Sequence, residues 1–167
     1  RPELPKTTAL FIAKTSAIYD PPGKSGAANL VMAVINMGTK TRKALEIEDA
    51  FSDLGTRLNG GMGAESSHIY FEVLSRHLDK ALPIMADVIQ NPTFPQEEFD
   101  REQKLALNQI DRQENDPNGL VGRIRPALYF GPDHPLGKPS NGYKETVKAI
   151  TRDDLVALHQ NTWKPGG

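Results

Sequence analysis

Ser67-His-Ile-Tyr-Phe-Glu-Val-Leu74 is the stretch that most constrains this chain, because its β-branched and aromatic residues commit it to a strand. A strand leaves backbone N–H and C=O groups that need partners. Two earlier segments can supply them. Residues 8–18 (Thr-Ala-Leu-Phe-Ile-Ala-Lys-Thr-Ser-Ala-Ile) are short, apolar and partly β-branched. Arg57-Leu-Asn-Gly-Gly-Met-Gly-Ala64 reads as a weaker strand loosened by glycine. Nearly everything after Leu74 carries helix and turn signals. The expected fold class is therefore α+β: an antiparallel sheet near the N-terminus with helices packed on one face. Three strands covered in this way can fold, but such a sheet reads as incomplete.

Helices are predicted over 27–37, closed by Gly38, and over 43–54, closed by Gly55. A third spans 78–89 and presents Leu78, Leu82, Met85 and Ile89 as a core-facing stripe. Pro83 in its sixth position is expected to delay or bend it. A long charged helix from Pro95 or Gln96 to about Asn115 follows, with Thr93 as its expected cap, and Asp116-Pro-Asn-Gly119 ends it. Another helix covers 120–129, then a long loop runs from Gly131 to Pro139. The last helix runs from Thr151 to about Gln160, where Thr151 and Asp154 have near capping-box spacing.

Charge and composition narrow the function classes. The formal net charge is -1, so the chain lacks the basic excess of a general nucleic-acid binder. The longest apolar stretch, Ala27 to Ile35, is interrupted by Asn29 and falls short of the ~20 residues of a spanning helix. With no cysteine, thiolate zinc sites, disulfides and cysteine nucleophiles are excluded. No signal peptide is visible. The chain opens at Arg1-Pro2-Glu3 without methionine and stops at Lys164-Pro165-Gly166-Gly167, which reads as a piece cut from a longer one. The residues do not fix a compartment; export to a periplasm is the expectation for a bacterial chain.

The candidate motifs have structural readings. Gly23-Lys24-Ser25 ends like a phosphate-binding loop, but Ile18 stands where the pattern needs its first glycine, so a Pro/Gly turn feeding a helix is expected. His68, His77, His134 and His159 form no H-x-x-E-H or inverse. His68 and Glu72 share a strand face, but two ligands do not make a metal site. His159 falls in a last helical turn, where a cation suits the dipole. The pairs Glu97-Glu98 and Asp153-Asp154 fall in first turns, where the same dipole favours negative charge. Asn59-Gly-Gly-Met-Gly63 lacks dinucleotide-fingerprint spacing and reads as a flexible edge strand on which an extended peptide can dock by main-chain hydrogen bonding.

Six stretches, taken together in this order, resemble the insulinase/pitrilysin family of zinc peptidases, which includes the mitochondrial processing peptidases. They are Ser16-Ala-Ile-Tyr-Asp-Pro-Pro-Gly-Lys-Ser-Gly26, Met37-Gly-Thr-Lys-Thr-Arg42, Leu54-Gly-Thr-Arg-Leu-Asn59, Asn91-Pro-Thr-Phe-Pro-Gln-Glu-Glu-Phe99, Tyr129-Phe-Gly-Pro-Asp-His-Pro-Leu-Gly137 and Ile150-Thr-Arg-Asp-Asp-Leu155. The resemblance implies a two-layer metalloenzyme-type fold. It implies that residues 1–167 are the N-terminal half of one family domain, whose second half with the remaining strands lies beyond Gly167.

Active members carry H-x-x-E-H on the first helix and a further Glu on the long helix. The resemblance, aligned on Gly38-Thr39, puts the first His at Asn29, the catalytic Glu at Met32, the second His at Ala33 and the distal Glu at Gln109. An alanine offers zinc nothing, a thioether cannot be a general base, and neutral amides are poor ligands. The resemblance therefore implies a non-catalytic domain with no zinc of its own, the zinc being expected in a catalytic partner domain. Implied partners are that catalytic domain or subunit, and peptide substrates enclosed between the two. The open sheet edge adds a homodimer as a further candidate. The rival from another class is a structural core subunit of a larger complex without a peptidase role.

Overall fold

A computed structural model describes residues 5–163. The expectations placed on Arg1-Pro2-Glu3 and on Lys164 to Gly167 lie outside the described residues. In chain order the elements are β1 (Lys6–Ala13), α1 (Ala27–Val34), α2 (Ala44–Ser52), β2 (Asn59–Met62), β3 (Ser67–Leu74), α3 (Leu78–Gln90), α4 (Gln96–Asn115), α5 (Pro117–Phe130), α6 (Lys144–Ala149) and α7 (Arg152–Thr162). Short 3-10 turns lie at Ala17–Tyr19, Ser75–His77 and Pro135–Gly137. This is the expected α+β class.

Period-two alternation explains the sheet. On β3, Ser67, Ile69, Phe71 and Val73 are buried while Tyr70 and Glu72 are exposed. β3 is the central strand, antiparallel to β1 on one side and to β2 on the other. Phe11 pairs with Ile69 and Gly60 pairs with the same residue from the opposite side. The helices cover the face that bears Ile69, Phe71 and Val73, and Phe51 of α2 meets Phe71 with ring centroids 5.5 Å apart. Leu10 and Ile12 of β1 remain exposed on the other face.

Several boundaries and faces differ from the sequence expectation. β1 stops at Ala13, since Thr15 and Ser16 turn inward and Ser16 caps the first 3-10 turn. α1 ends at Val34 and a turn carries the chain to Gly38. In α3 the buried face is Ala81, Ile84, Met85, Val88 and Ile89, while Leu82 points outward at 41% exposure. Pro83 does not delay α3, which starts at Leu78 as the 3-10 turn runs into it.

Thr93 does not cap α4. Its carbonyl, with that of Phe94, accepts from the Arg152 guanidinium at 2.8 Å each. That clamp lies beside a left-handed Phe94 (φ 46), a conformation costly for a bulky residue. Asp116-Pro117 ends α4 but also starts α5: Asp116 accepts from the Gly119 N–H, and proline suits the first position. α6 went unpredicted. Thr151 and Asp154 do form a capping box on α7.

His159 is not a solvated cation at a helix end. It is buried, Nε2 lies 2.9 Å from the Ile89 carbonyl oxygen, and the ring packs against Phe94 and Trp163 at 5.6 and 5.7 Å between centroids. Burial holds its pKa below the ordinary 6.5, opposed in part by the Ile89 carbonyl. The unfolded ring therefore binds its proton at higher pH than the folded ring. The stability His159 contributes is full above about pH 6.5 and is lost as pH falls below it. His159→Phe is expected to reduce the loss of stability between pH 7 and pH 5 in urea unfolding. An unchanged pH slope would contradict a neutral buried ring.

Candidate functional site

The site begins at the start of α1. Asp20 accepts hydrogen bonds from the Gly26 and Ala28 N–H groups, both at 2.7 Å, placing a carboxylate at the positive end of the helix. Burial pushes the Asp20 carboxyl up to about 6, against the pull of those two N–H groups and of Lys138. Gly26 sits at φ 102, and a side chain there would press on the Asn141 carbonyl at 2.9 Å. Lys24 reaches the Asp154 carboxylate at 2.8 Å and the Ala149 carbonyl, tying the turn to α7. Gly23-Lys24-Ser25 is thus a structural turn.

From that anchor α1 runs through the middle of the molecule. Ala27, Ala28, Leu30, Val31 and Val34 are buried, and the helix packs against α4, α7 and β2. Asn29, Met32 and Ala33 lie on its half-buried side. Gln109 is exposed on α4, with Ile110 buried beside it and Ala106, one turn earlier, packed on the core. The two helices that bear the four positions are therefore neighbours, although 76 positions separate Ala33 from Gln109.

The donor chemistry at these positions does not fit zinc. Two amides, a thioether and a methyl group supply neither the imidazoles nor the carboxylates of a catalytic site. Among the described residues no group of three His, Cys, Asp or Glu side chains could hold a metal. The histidines lie apart in the sequence and serve local packing: His68 covers Gly61, His134 Nδ1 accepts from the Leu136 N–H, and Arg76 donates to His77.

A cavity of about 210 Å³ opens beside Met32, lined by Met32, Ile35, Asn36, Leu58, Gly60 and Ile69 together with Asn59. Of this set Met32, Asn59 and Gly60 stood out in the sequence, and the rest did not because the pocket arises where α1 meets β2, which are far apart in the chain. The sequence signal that foreshadowed it is the Asn59-Gly-Gly run. Among the described residues β2 has no strand on its outer side. Also among them, no helix is long and apolar enough to cross a membrane.

Residues 5–135 match the family described as Insulinase (Peptidase family M16). The chain belongs to that family. An uncharacterized zinc protease of Rickettsia bellii is 37% identical over 146 residues, and one of Mycobacterium leprae is 32% identical over 141. These matches cover 87% and 84% of this chain but only 35% and 32% of those proteins, so the chain spans about a third of their length. A crystal structure described as the peptidase M16 inactive domain from Pseudomonas fluorescens superposes with a TM-score of 0.88 at 26% identity, over 94% of this chain and 38% of that one. Pitrilysin, at 20% identity, shares the fold with a TM-score of 0.80 over 98% of this chain and 18% of its own.

Two outcomes follow for this insulinase-family domain. Asp20→Ala removes the acceptor for two N–H groups at the start of α1 and is expected to lower unfolding stability by about 1–2 kcal/mol, read by denaturant titration at neutral pH. Asn29→His, Met32→Glu, Ala33→His and Gln109→Glu together are expected to create zinc affinity, measured by competition with a chromophoric chelator. A folded quadruple variant without zinc affinity would refute the placement of these four positions at one erased metal site.

Proposed function

We propose that this chain is a non-catalytic domain of an insulinase-like zinc metallopeptidase, one that helps to enclose a peptide substrate and contacts a catalytic domain or subunit carrying the zinc. The observation that carries the reading is the half-buried side of α1. Where active relatives in this family place their metal-binding and acid–base groups, this chain presents Asn29, Met32 and Ala33. The Pseudomonas fluorescens neighbour described as an inactive domain supports the same reading.

Loss of the ligands leaves the scaffold intact. Among the described residues β2 has no strand on its outer side, and Gly60 and Gly61 bring no side chain to it. An extended peptide can pair with such an edge by main-chain hydrogen bonds. Held in that way, a substrate loses conformational freedom before it meets the catalytic groups of the partner, which is the positioning part of catalysis. The chain supplies no proton transfer and no nucleophile in this scheme. Residues 1–167 are, on this reading, the N-terminal half of the domain, and the remaining strands from chain beyond Gly167 join the sheet on the side of β1, leaving β2 at the edge.

Metal analysis of the chain purified without chelator, with a quenched fluorogenic peptide assay, is expected to show no stoichiometric zinc and no cleavage. Affinity purification of the full protein is expected to recover a segment or subunit bearing H-x-x-E-H. One tightly held zinc per chain with chelator-sensitive turnover would overturn the proposal. Recovery of a redox complex with no such motif would assign a structural core role instead.

A further inference from the structure

Four rings form one column through the molecule. Phe11 of β1 stacks on Trp163 at 5.6 Å between centroids, Trp163 stacks on His159 at 5.7 Å, and Phe94 meets His159 edge-on at 5.6 Å. The column joins three separate parts of the fold: β1, the end of α7, and the linker between α3 and α4. Trp163, His159 and Phe94 are buried, so their packing does not depend on what else lies against the surface. Polar ties are few. His159 Nε2 lies 2.9 Å from the Ile89 carbonyl oxygen, whereas the buried Trp163 indole N–H has no hydrogen-bond partner among the described residues. The contact from β1 to the end of α7 is therefore ring stacking, with His159 as the one ring in it that can take a charge.

The surroundings suit a neutral ring. A carbonyl only accepts, so Nε2 carries the hydrogen and Nδ1 is the nitrogen that a further proton must join. No carboxylate stands ready to answer that proton. Lys40 is the one charged residue around the cavity that His159 lines, and Arg152, which holds the Thr93 and Phe94 carbonyls, is a second cation beside the column. On α3, Asp87 accepts from Thr39, Thr41, Arg42 and Asn91. On α7, Asp153 pairs with Arg152, and Asp154 accepts from Lys24 and Thr151. On the sheet, Lys6 and Glu72 pair with each other, and α1, packed on α7, carries no charge. Burial accordingly holds the ring below the ordinary 6.5. An imidazolium would attract the indole face, but a buried charge without a counter-charge costs more than that attraction offsets. Phe94 adds a reason for the column to part, since its left-handed backbone (φ 46) is strained and persists only while Arg152 and packing hold it.

We propose that the Phe11–Trp163–His159–Phe94 column is an acid-opened latch: a proton on His159 parts Trp163 from Phe11 and frees the end of α7 from β1, while the rest of the domain stays folded. The proton comes from solvent and joins the Nδ1 lone pair, and no other covalent bond forms or breaks. Leu155 and Leu158 stay buried in the core and hold the body of α7, so the opening is confined to its last turn. Peptide docking on β2 plays no part in this latch.

The test is fluorine NMR of the full protein labelled with fluorotryptophan, the Trp163 signal being assigned by its absence in Trp163→Phe. Between about pH 8 and pH 5 that signal is expected to move to the position of a solvent-exposed fluoroindole, with a midpoint below 6.5, while far-ultraviolet circular dichroism stays unchanged. His159→Gln keeps a donor for the Ile89 carbonyl without a titrating ring, and His159→Phe keeps a ring that takes no proton. In both, the signal is expected to hold its neutral-pH position throughout. A wild-type signal that does not move would show the ring staying in place, neutral or charged, and would overturn the latch. Movement that persists in either folded variant would assign the titration to another group and overturn it as well. Movement seen only together with loss of circular dichroism would be global unfolding and would likewise overturn it.

Discussion

The burial of α1 is the constraint on which the rest of the structure depends. Ala27, Ala28, Val31 and Val34 have no accessible surface, Leu30 has almost none, and the helix touches sheet, α4 and α7 at once. Such a helix cannot drift, since its buried residues are held by close-packed neighbours and only the side of Asn29, Met32 and Ala33 is half-buried. Its entry is fixed by Asp20 on two N–H groups and by Gly26, where a β-carbon would collide with the backbone of Asn141. The cavity and the open edge strand inherit their positions from this one element. A site on a rigid helix holds its geometry more closely than one on a loop.

The parts of the fold legible in the sequence are those decided locally. The composition of β3, the acidic first turns of α4 and α7, and the Thr151–Asp154 cap all follow from neighbours within a few residues. The parts that were misread are decided at long range. Leu82 fits a helical stripe, yet tertiary packing chose the face of Ala81 and Ile84. Thr93 has capping chemistry, but Arg152, 59 positions away, engages its carbonyl. His159 sits where a cation is favoured locally, and burial against Phe94 and Trp163 overrules that preference. Asp116-Pro117 carries both a stop and a start signal, and the chain uses both.

The candidate site divides in the same way. That Asn29, Met32, Ala33 and Gln109 cannot serve a catalytic zinc is a statement about side-chain chemistry, readable without coordinates. That α1 and α4 are neighbours, and that Met32 stands over Gly60, depends on the fold. The chain keeps the family fold, and on the proposed reading Asn29, Met32, Ala33 and Gln109 stand where active members carry their zinc and base groups. Evolution of an enzyme domain into a binding domain needs no new fold, because function resides in the site grafted on the scaffold.

The central claim is that this domain handles a peptide along β2 without doing chemistry on it. Amide hydrogen exchange of the full protein, with and without a saturating non-cleaved peptide, tests that claim most directly. The account predicts slowed exchange at the alternate amides of Asn59–Met62 that point away from β3, with the peptide's own amides protected in alternation. Protection confined to other surfaces, such as the exposed apolar residues of α5, with β2 exchanging as fast as in the free protein, would contradict it.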